Sequence, residues 1–202
     1  MKPRDWIPVT ACLVLLLAAV SMAQAANRVA LVIGNGAYSS SPLRNPPNDA
    51  RDIAQALRDL NFDVIERVNA DERTMVEAID AFYGKLNKSI VGLFYYAGHG
   101  MQVDGYNYLI PVGARVSSES DVRYEAIEAE RVLGKMKDSG NDLNIVFLDA
   151  CRDNPFARSF RAVNHRGLVR MDAPKGTFIA YATEPGSVAV DGYGRNSPFT
   201  KS

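Results

Sequence analysis

The sequence predicts an α/β protein whose mostly parallel sheet carries helices on both faces, a three-layer sandwich. Three observations carry that prediction. Apolar, β-branched runs recur five times along the chain. Segments of helical periodicity separate most of them, and several runs end abruptly in loops that contain Gly or Asp. Parallel neighbours need long crossovers, which the intervening helices supply.

The elements follow in order. Arg28 to Ile33 is a buried strand closed by Gly34-Asn35-Gly36. Pro46-Pro47-Asn48-Asp49 opens a helix, and Ile53, Ala54, Ala56, Leu57 and Leu60 follow at helical spacing. Phe62 to Val68 is the second strand. Asp71 caps a second helix whose inner face is Met75, Val76, Ile79, Phe82 and Leu86. Ile90 to Tyr96 is the third strand, stopping at Ala97-Gly98-His99-Gly100. Asp104-Gly105, between Met101–Val103 and Tyr106–Ile110, signals a hairpin. Tyr124 to Lys137 reads as one helix, Asn144 to Leu148 as the fourth core strand, 157–175 as a basic loop, and Gly176 to Ala182 as the fifth strand. Asn196-Ser197-Pro198 looks like the start of another helix, and the domain is expected to lack its C-terminal end.

Composition narrows the function. The 202 residues carry 23 Lys+Arg against 23 Asp+Glu, with 47% hydrophobic and 23% charged residues. This is the balance of a globular domain, and its zero net charge argues against a nucleic-acid surface. Two cysteines provide neither a disulfide framework nor a Cys-rich zinc site. Residues 1–25 have a short basic start, an apolar stretch from Ile7 to Val20 and the small-x-small run Ala23-Gln24-Ala25, the pattern of a cleaved export signal. The mature chain is then expected to be 26–202, periplasmic or secreted, with no stable membrane span. Cys12 leaves with the signal, so Cys151 becomes the only thiol. It is either an inert small hydrophobe or a reactive group.

In a parallel α/β sheet, functional residues gather beyond the carboxyl ends of the strands. His99 follows the third strand and Cys151 the fourth. If those strands are neighbours, imidazole and thiol share one edge, as acyl transfer by a nucleophile and its base requires. The backbone amides of Gly100 and Cys151 are candidates for an oxyanion hole, a contribution of about 3 kcal/mol per donor. The competing interpretation of Gly98-His99-Gly100 is a tight turn with a structural histidine. Gly34-Asn35-Gly36 also prompts a nucleotide-binding reading, but Ser39 stands where a dinucleotide fingerprint needs its third Gly, and there is no phosphate-loop Lys.

Tyr96-Ala97-Gly98-His99-Gly100 and Asp149-Ala150-Cys151-Arg152 resemble the His and Cys boxes of caspase-like cysteine peptidases, in particular the bacterial members near metacaspases. The two residues are 52 positions apart, close to the spacing in caspases. Gly34-Asn35-Gly36-Ala37-Tyr38, Asn48-Asp49-Ala50 and Ala182-Thr183-Glu184-Pro185-Gly186 extend the resemblance over nearly the whole mature chain. It implies a caspase-like fold and a His99/Cys151 dyad. It also implies a primary pocket lined by Asp49 and Asp149, which favours protein or peptide substrates with Arg or Lys before the scissile bond. Alternatively, Asp49 serves its own helix N-terminus and Asp149 is structural. The basic loop 157–175, with Arg158, Arg161, Arg166, Arg170 and Lys175, is either a self-cleavage segment or a solvated loop; His165 in it is expected to be exposed. No cofactor is required; calcium activation is left open by the resemblance, although no EF-hand pattern is present. A non-catalytic caspase-like interaction module is the alternative function.

Overall fold

The computed structural model of the chain describes residues 28–86, 91–150, 167–183 and 194–202. In chain order the first elements are β1 (Arg28–Gly34), α1 (Pro46–Asp59), β2 (Phe62–Val68), α2 (Glu72–Lys85), β3 (Val91–Ala97), β4 (Gly100–Val103) and β5 (Tyr106–Leu109). After them come α3 (Glu119–Glu125), β6 (Ile127–Glu128), α4 (Ala129–Asp138), β7 (Leu143–Asp149), β8 (Thr177–Tyr181) and α5 (Pro198–Lys201).

Five strands pair in parallel in the order β2-β1-β3-β7-β8. The burial of each strand follows its place. Val29 to Gly34 in β1 and Gly92 to Ala97 in β3 are buried without alternation, as expected of central strands covered on both faces. Edge strand β2 carries Asp63, Glu66 and Arg67 and buries only Ile65 fully, which blunts the open edge with charge.

Each face has its own helix layer. Ala50, Ala54 and Leu57 of α1 pack on Ala30, Val32, Leu93 and Tyr95. Met75, Ala78, Ile79 and Phe82 of α2, with Val132, Leu133 and Met136 of α4, pack on Leu31, Ile33, Phe94, Tyr96, Val146 and Leu148. The alternation of those strand residues between two clusters is the pleat of one sheet buried twice. Asp71 caps α2 by accepting from the Thr74 amide at 2.8 Å, and the expected inner face is buried or half-buried throughout. In α1 the outcome differs in part, because Ala56 and Leu60 point to water; Leu60 is 57% exposed.

β4, β5 and β6 form a separate antiparallel sheet. Asp104 (φ 50°) and Gly105 (φ 85°) turn the β4–β5 hairpin, both left-handed as a two-residue turn of this kind requires. The single helix expected from Tyr124 to Lys137 is corrected to α3, the short strand β6, and α4. Ala126 takes an extended conformation (φ −131°, ψ 161°), and Ile127 and Glu128 pair with Leu109 and Tyr108. The ladder with β5 overrides helical periodicity there, since Ile127 is buried either way.

Residues 1–25, expected to be an export signal, together with Ile90, Cys151, His165, the first ten residues of the basic loop and Glu184-Pro185-Gly186 lie outside the described residues. Residues 167–176 contain no helix or strand, in keeping with the expected loop. Among the described residues no helix is long and apolar enough to cross a membrane.

Candidate active site

The third and fourth core strands of the sequence are neighbours, and their register is the geometric basis of the site. Ala97 at the end of β3 faces Asp149 at the end of β7, and the Gly98 amide donates to the Asp149 carbonyl at 3.2 Å. His99 stands two residues beyond Ala97, as Cys151 stands two residues beyond Asp149 in the sequence. Parallel strands paired in this way bring the two chain exits to the same edge of the sheet, where α/β folds build their sites.

His99 is buried, at 3% exposure. Its Nε2 lies 2.7 Å from the Ser41 carbonyl oxygen. A carbonyl only accepts, so in the neutral ring Nε2 carries the proton and Nδ1 is the basic nitrogen. Ser41 presents that carbonyl from a left-handed conformation (φ 56°), unusual for a residue with a side chain. The His99 amide donates to Tyr38 Oη at 3.0 Å, while the His99 carbonyl accepts from Tyr96 Oη at 2.8 Å and from the Ile110 amide at 3.0 Å. The histidine backbone is therefore held from both sides.

The flanking glycines are demanded by space. A Cβ at Gly98 would lie 2.7 Å from both Tyr38 Oη and Tyr96 Oη. One at Gly100 would lie 2.6 Å from the carbonyl oxygen of Ala150, the residue before Cys151. Gly100 also opposes Leu109 with the Ile110 amide bonded to the His99 carbonyl. That makes the Gly100–Leu109 pair the non-hydrogen-bonded kind, so the Gly100 amide is directed away from β5.

Asp49 and Asp149, both essentially inaccessible to solvent, converge on one residue. The Ser197 amide donates to Asp49 Oδ1 at 3.0 Å and the Ser197 hydroxyl donates to Asp149 Oδ2 at 2.6 Å. Ser197 also caps α5, its Oγ accepting from the Thr200 amide at 3.1 Å. Three side chains at the start of α1 hold this segment. Asn48 donates to the Arg195 carbonyl, Asp49 takes the Ser197 amide, and Asp52 pairs with Arg195 through two guanidinium nitrogens (3.1 and 2.9 Å) and with Asn196 Nδ2 (2.8 Å). Hydrogen bonds from Arg195 first, then from Asn196, hold the Asp52 carboxyl below its ordinary value. Asp49 thus spends its side chain across the site, although it sits in the first turn of α1.

The far end of the basic loop is anchored too. Leu168 is fully buried, Asn107 exchanges two 2.8 Å bonds with the backbone of Val169, and the Met171 amide donates to Tyr181 Oη. No group of three or more His, Cys, Asp or Glu among the described residues is arranged to hold a metal ion.

Sequence reasoning missed Tyr38, Ser41, Tyr96 and Ser197. Tyr96 stood in the third strand and Ser197 at a helix start, but their partners lie in distant segments that no local pattern names. Tyr38 carried a signal, as the last residue of the motif after the first strand.

Comparison with known proteins agrees with this architecture. The family model of the caspase domain, peptidase family C14, matches residues 27–202. Over 129 residues the chain is 35% identical to mucosa-associated lymphoid tissue lymphoma translocation protein 1 of Homo sapiens, and equally to its Mus musculus homolog. The match takes in 63% of this chain but only 15% of either relative, so the chain spans a small part of their length. Among solved structures, a protein of Geobacter sulfurreducens shares the fold with a TM-score of 0.50 at 19% identity, over 63% of this chain and 52% of that one. The chain belongs to the caspase-domain family of cysteine peptidases.

Proposed function

We propose that this caspase domain is a cysteine-type endopeptidase that cuts after Arg or Lys, with Cys151 as nucleophile and His99 as its acid–base partner. The observation that carries the reading is the β3–β7 register, Ala97 opposite Asp149, together with the two-residue step from each strand end to His99 and to Cys151. The Cys151 thiolate adds to the scissile carbonyl carbon, and the oxyanion is held by the Gly100 and Cys151 amides. Protonated His99 gives its Nδ1 proton to the departing amine and leaves a thioester. Neutral Nδ1 then takes a proton from water, the hydroxide attacks the thioester, and the thiolate is released. The Ser41 carbonyl holds Nε2–H throughout.

The specificity reading is supported by two deeply buried carboxylates that meet at one point. Carboxylates so buried are stabilised by donors and by opposite charge. A guanidinium or ammonium group brings both, and Arg does so bidentately. Ser197 already supplies an amide and a hydroxyl at that point. Self-cleavage within 157–175 and export directed by residues 1–25 belong to the same proposal.

The test is hydrolysis of an Arg-terminated fluorogenic peptide by the purified protein and its Cys151→Ala variant. Turnover by the wild type and none by the variant is expected. Equal rates would remove the peptidase reading and favour a non-catalytic interaction module.

A further inference from the structure

We propose that the free edge of β4 seats the leaving-side segment of the substrate as an added parallel strand, bonded to the backbones of Gly100 and Gln102. What is seated there rests on the peptidase reading above; which backbone groups face outward does not.

β4 is an edge strand, since its sheet runs β4-β5-β6. Its ladder alternates. The Ile110 amide bonds the His99 carbonyl, so Met101–Tyr108 and Val103–Tyr106 are hydrogen-bonded pairs, whereas Gly100–Leu109 and Gln102–Asn107 are not. The amides and carbonyls of Gly100 and Gln102 therefore point outward, and among the described residues none of them has a backbone partner. Both faces of the strand are covered. A Cβ at Gly100 would lie 3.1 Å from Leu168 Cδ2, and Asn107, opposite Gln102, exchanges bonds with the Val169 backbone. On the other face Met101 and Val103 are buried with Tyr108, Val116 and Val122. What the described residues leave uncovered is the edge, where Gln102 is only half-buried. That edge is also unguarded. Gly100-Met101-Gln102-Val103 has no charge and no proline, whereas edge strand β2 carries Asp63, Glu66 and Arg67. An edge of this kind is a template for strand addition.

The occupant follows from the roles proposed above. With the acyl oxygen at the Gly100 amide and the Arg or Lys side chain at Asp49 and Asp149, the amine that His99 protonates begins the segment nearest β4, the strand that directly follows His99. Two chains leaving one point in the same direction pair in parallel. A residue in a parallel pair bonds through its N–H and C=O to the two residues flanking its opposite number. Gly100, opposite the first leaving-side residue, thus donates to the acyl carbonyl and accepts from the second leaving-side amide. Gln102, about 6.6 Å further on, donates to the carbonyl of that second residue. The first and third leaving-side amides face away from β4. Because these bonds are all main-chain, the segment is recognised as an extended peptide whatever its side chains.

Peptide binding to the full chain carrying Cys151→Ala tests this without turnover, by fluorescence anisotropy. One peptide ends at an Arg amide, and a second continues for three residues beyond that Arg. The longer peptide binds about 5- to 100-fold more tightly, the gain from two main-chain bonds. N-methylation of its second leaving-side amide lowers affinity about two- to tenfold, whereas N-methylation of the third changes it by less than about twofold. Gln102→Pro removes an outward N–H but no ladder bond, which an edge strand accommodates. It lowers the gain from the three added residues by about two- to tenfold. No gain from the added residues, equal losses from the two methylations, or a full gain in folded Gln102→Pro overturns the proposal. If Gln102→Pro does not fold, the methylated pair decides alone. If the wild-type protein shows no Cys151-dependent turnover, the peptidase reading fails, and the alternation between the methylated peptides still decides this one.

Discussion

Around His99 the described contacts are a carbonyl at the ring, two tyrosine hydroxyls and an amide at the backbone, and an aromatic face. Across the same sheet edge, the 49/149/197 cluster is built from two buried carboxylates and is clamped at the surface by the Asp52–Arg195 pair. The acid cluster draws on segments 48 and 148 residues from Ser197, and it holds charges that only donors or a cation offset. In the proposed function, the first side orients a proton carrier and the second recognises a positive side chain. Catalysis and specificity should therefore break separately.

The largest separation comes from His99→Ala against Asp149→Asn. With His99 as the proposed acid–base group, its loss should remove about 10²- to 10⁴-fold of rate on every substrate. With Asp149 in the proposed pocket, loss of its carboxylate should cost about 2–5 kcal/mol on Arg and Lys peptides, the usual penalty for truncating one partner of a buried charge pair, and should leave the response to substrate-independent thiol reagents intact. Side-by-side kinetics on Arg and Gln peptides check this; an equal loss on both in Asp149→Asn would erase the distinction.

Next in size are changes to the scaffold behind each region. Phe82, 1% exposed, packs α2 onto the face that carries Tyr96. Phe82→Ala should cost about 3–5 kcal/mol in urea unfolding. Gly98→Ala pushes a methyl group toward two tyrosine hydroxyls and should cost about 1–3 kcal/mol as overpacking, with activity reduced further. A Gly98→Ala protein of unchanged stability and kcat would show that the hydroxyls yield freely, and the cradle would lose its rigidity.

The smallest effect is the acid limb. The Asp52 carboxyl is held below its ordinary value of 3.8, chiefly by Arg195. A carboxyl lowered in the folded state stabilises fully above that ordinary value and loses its contribution as the pH falls through the lowered one. The pair is exposed and screened, so the gain is slight. Asp52→Asn should therefore unfold slightly earlier at pH 6, with the gap closing toward pH 2–3 and narrowing in high salt. A gap that is constant over that range would mean the clamp does not act through charge.

Much of this was legible in the sequence, for physical reasons that differ by element. Phe62–Val68 is bounded as read, because turn residues close it on both sides. The strand ends that carry His99 and Cys151 were visible because buried parallel strands leave unbroken apolar runs. Their adjacency was not, since strand order depends on pairing energies that no local window contains. The helix expected from Tyr124 failed where Ile127 and Glu128 bond to β5 instead of to their own turn. Ser197 gave only a helix-start signal because its other two partners come from α1 and β7.

The most direct measurement is covalent capture. Peptidyl acyloxymethyl ketones ending in Arg or in Asp are incubated with the protein, and the adduct is located by peptide mass mapping. The account predicts an adduct on Cys151 with the Arg reagent, little with the Asp reagent, and a much slower reaction in His99→Ala. An adduct that is absent from Cys151, or one formed equally with the Asp reagent, would contradict it.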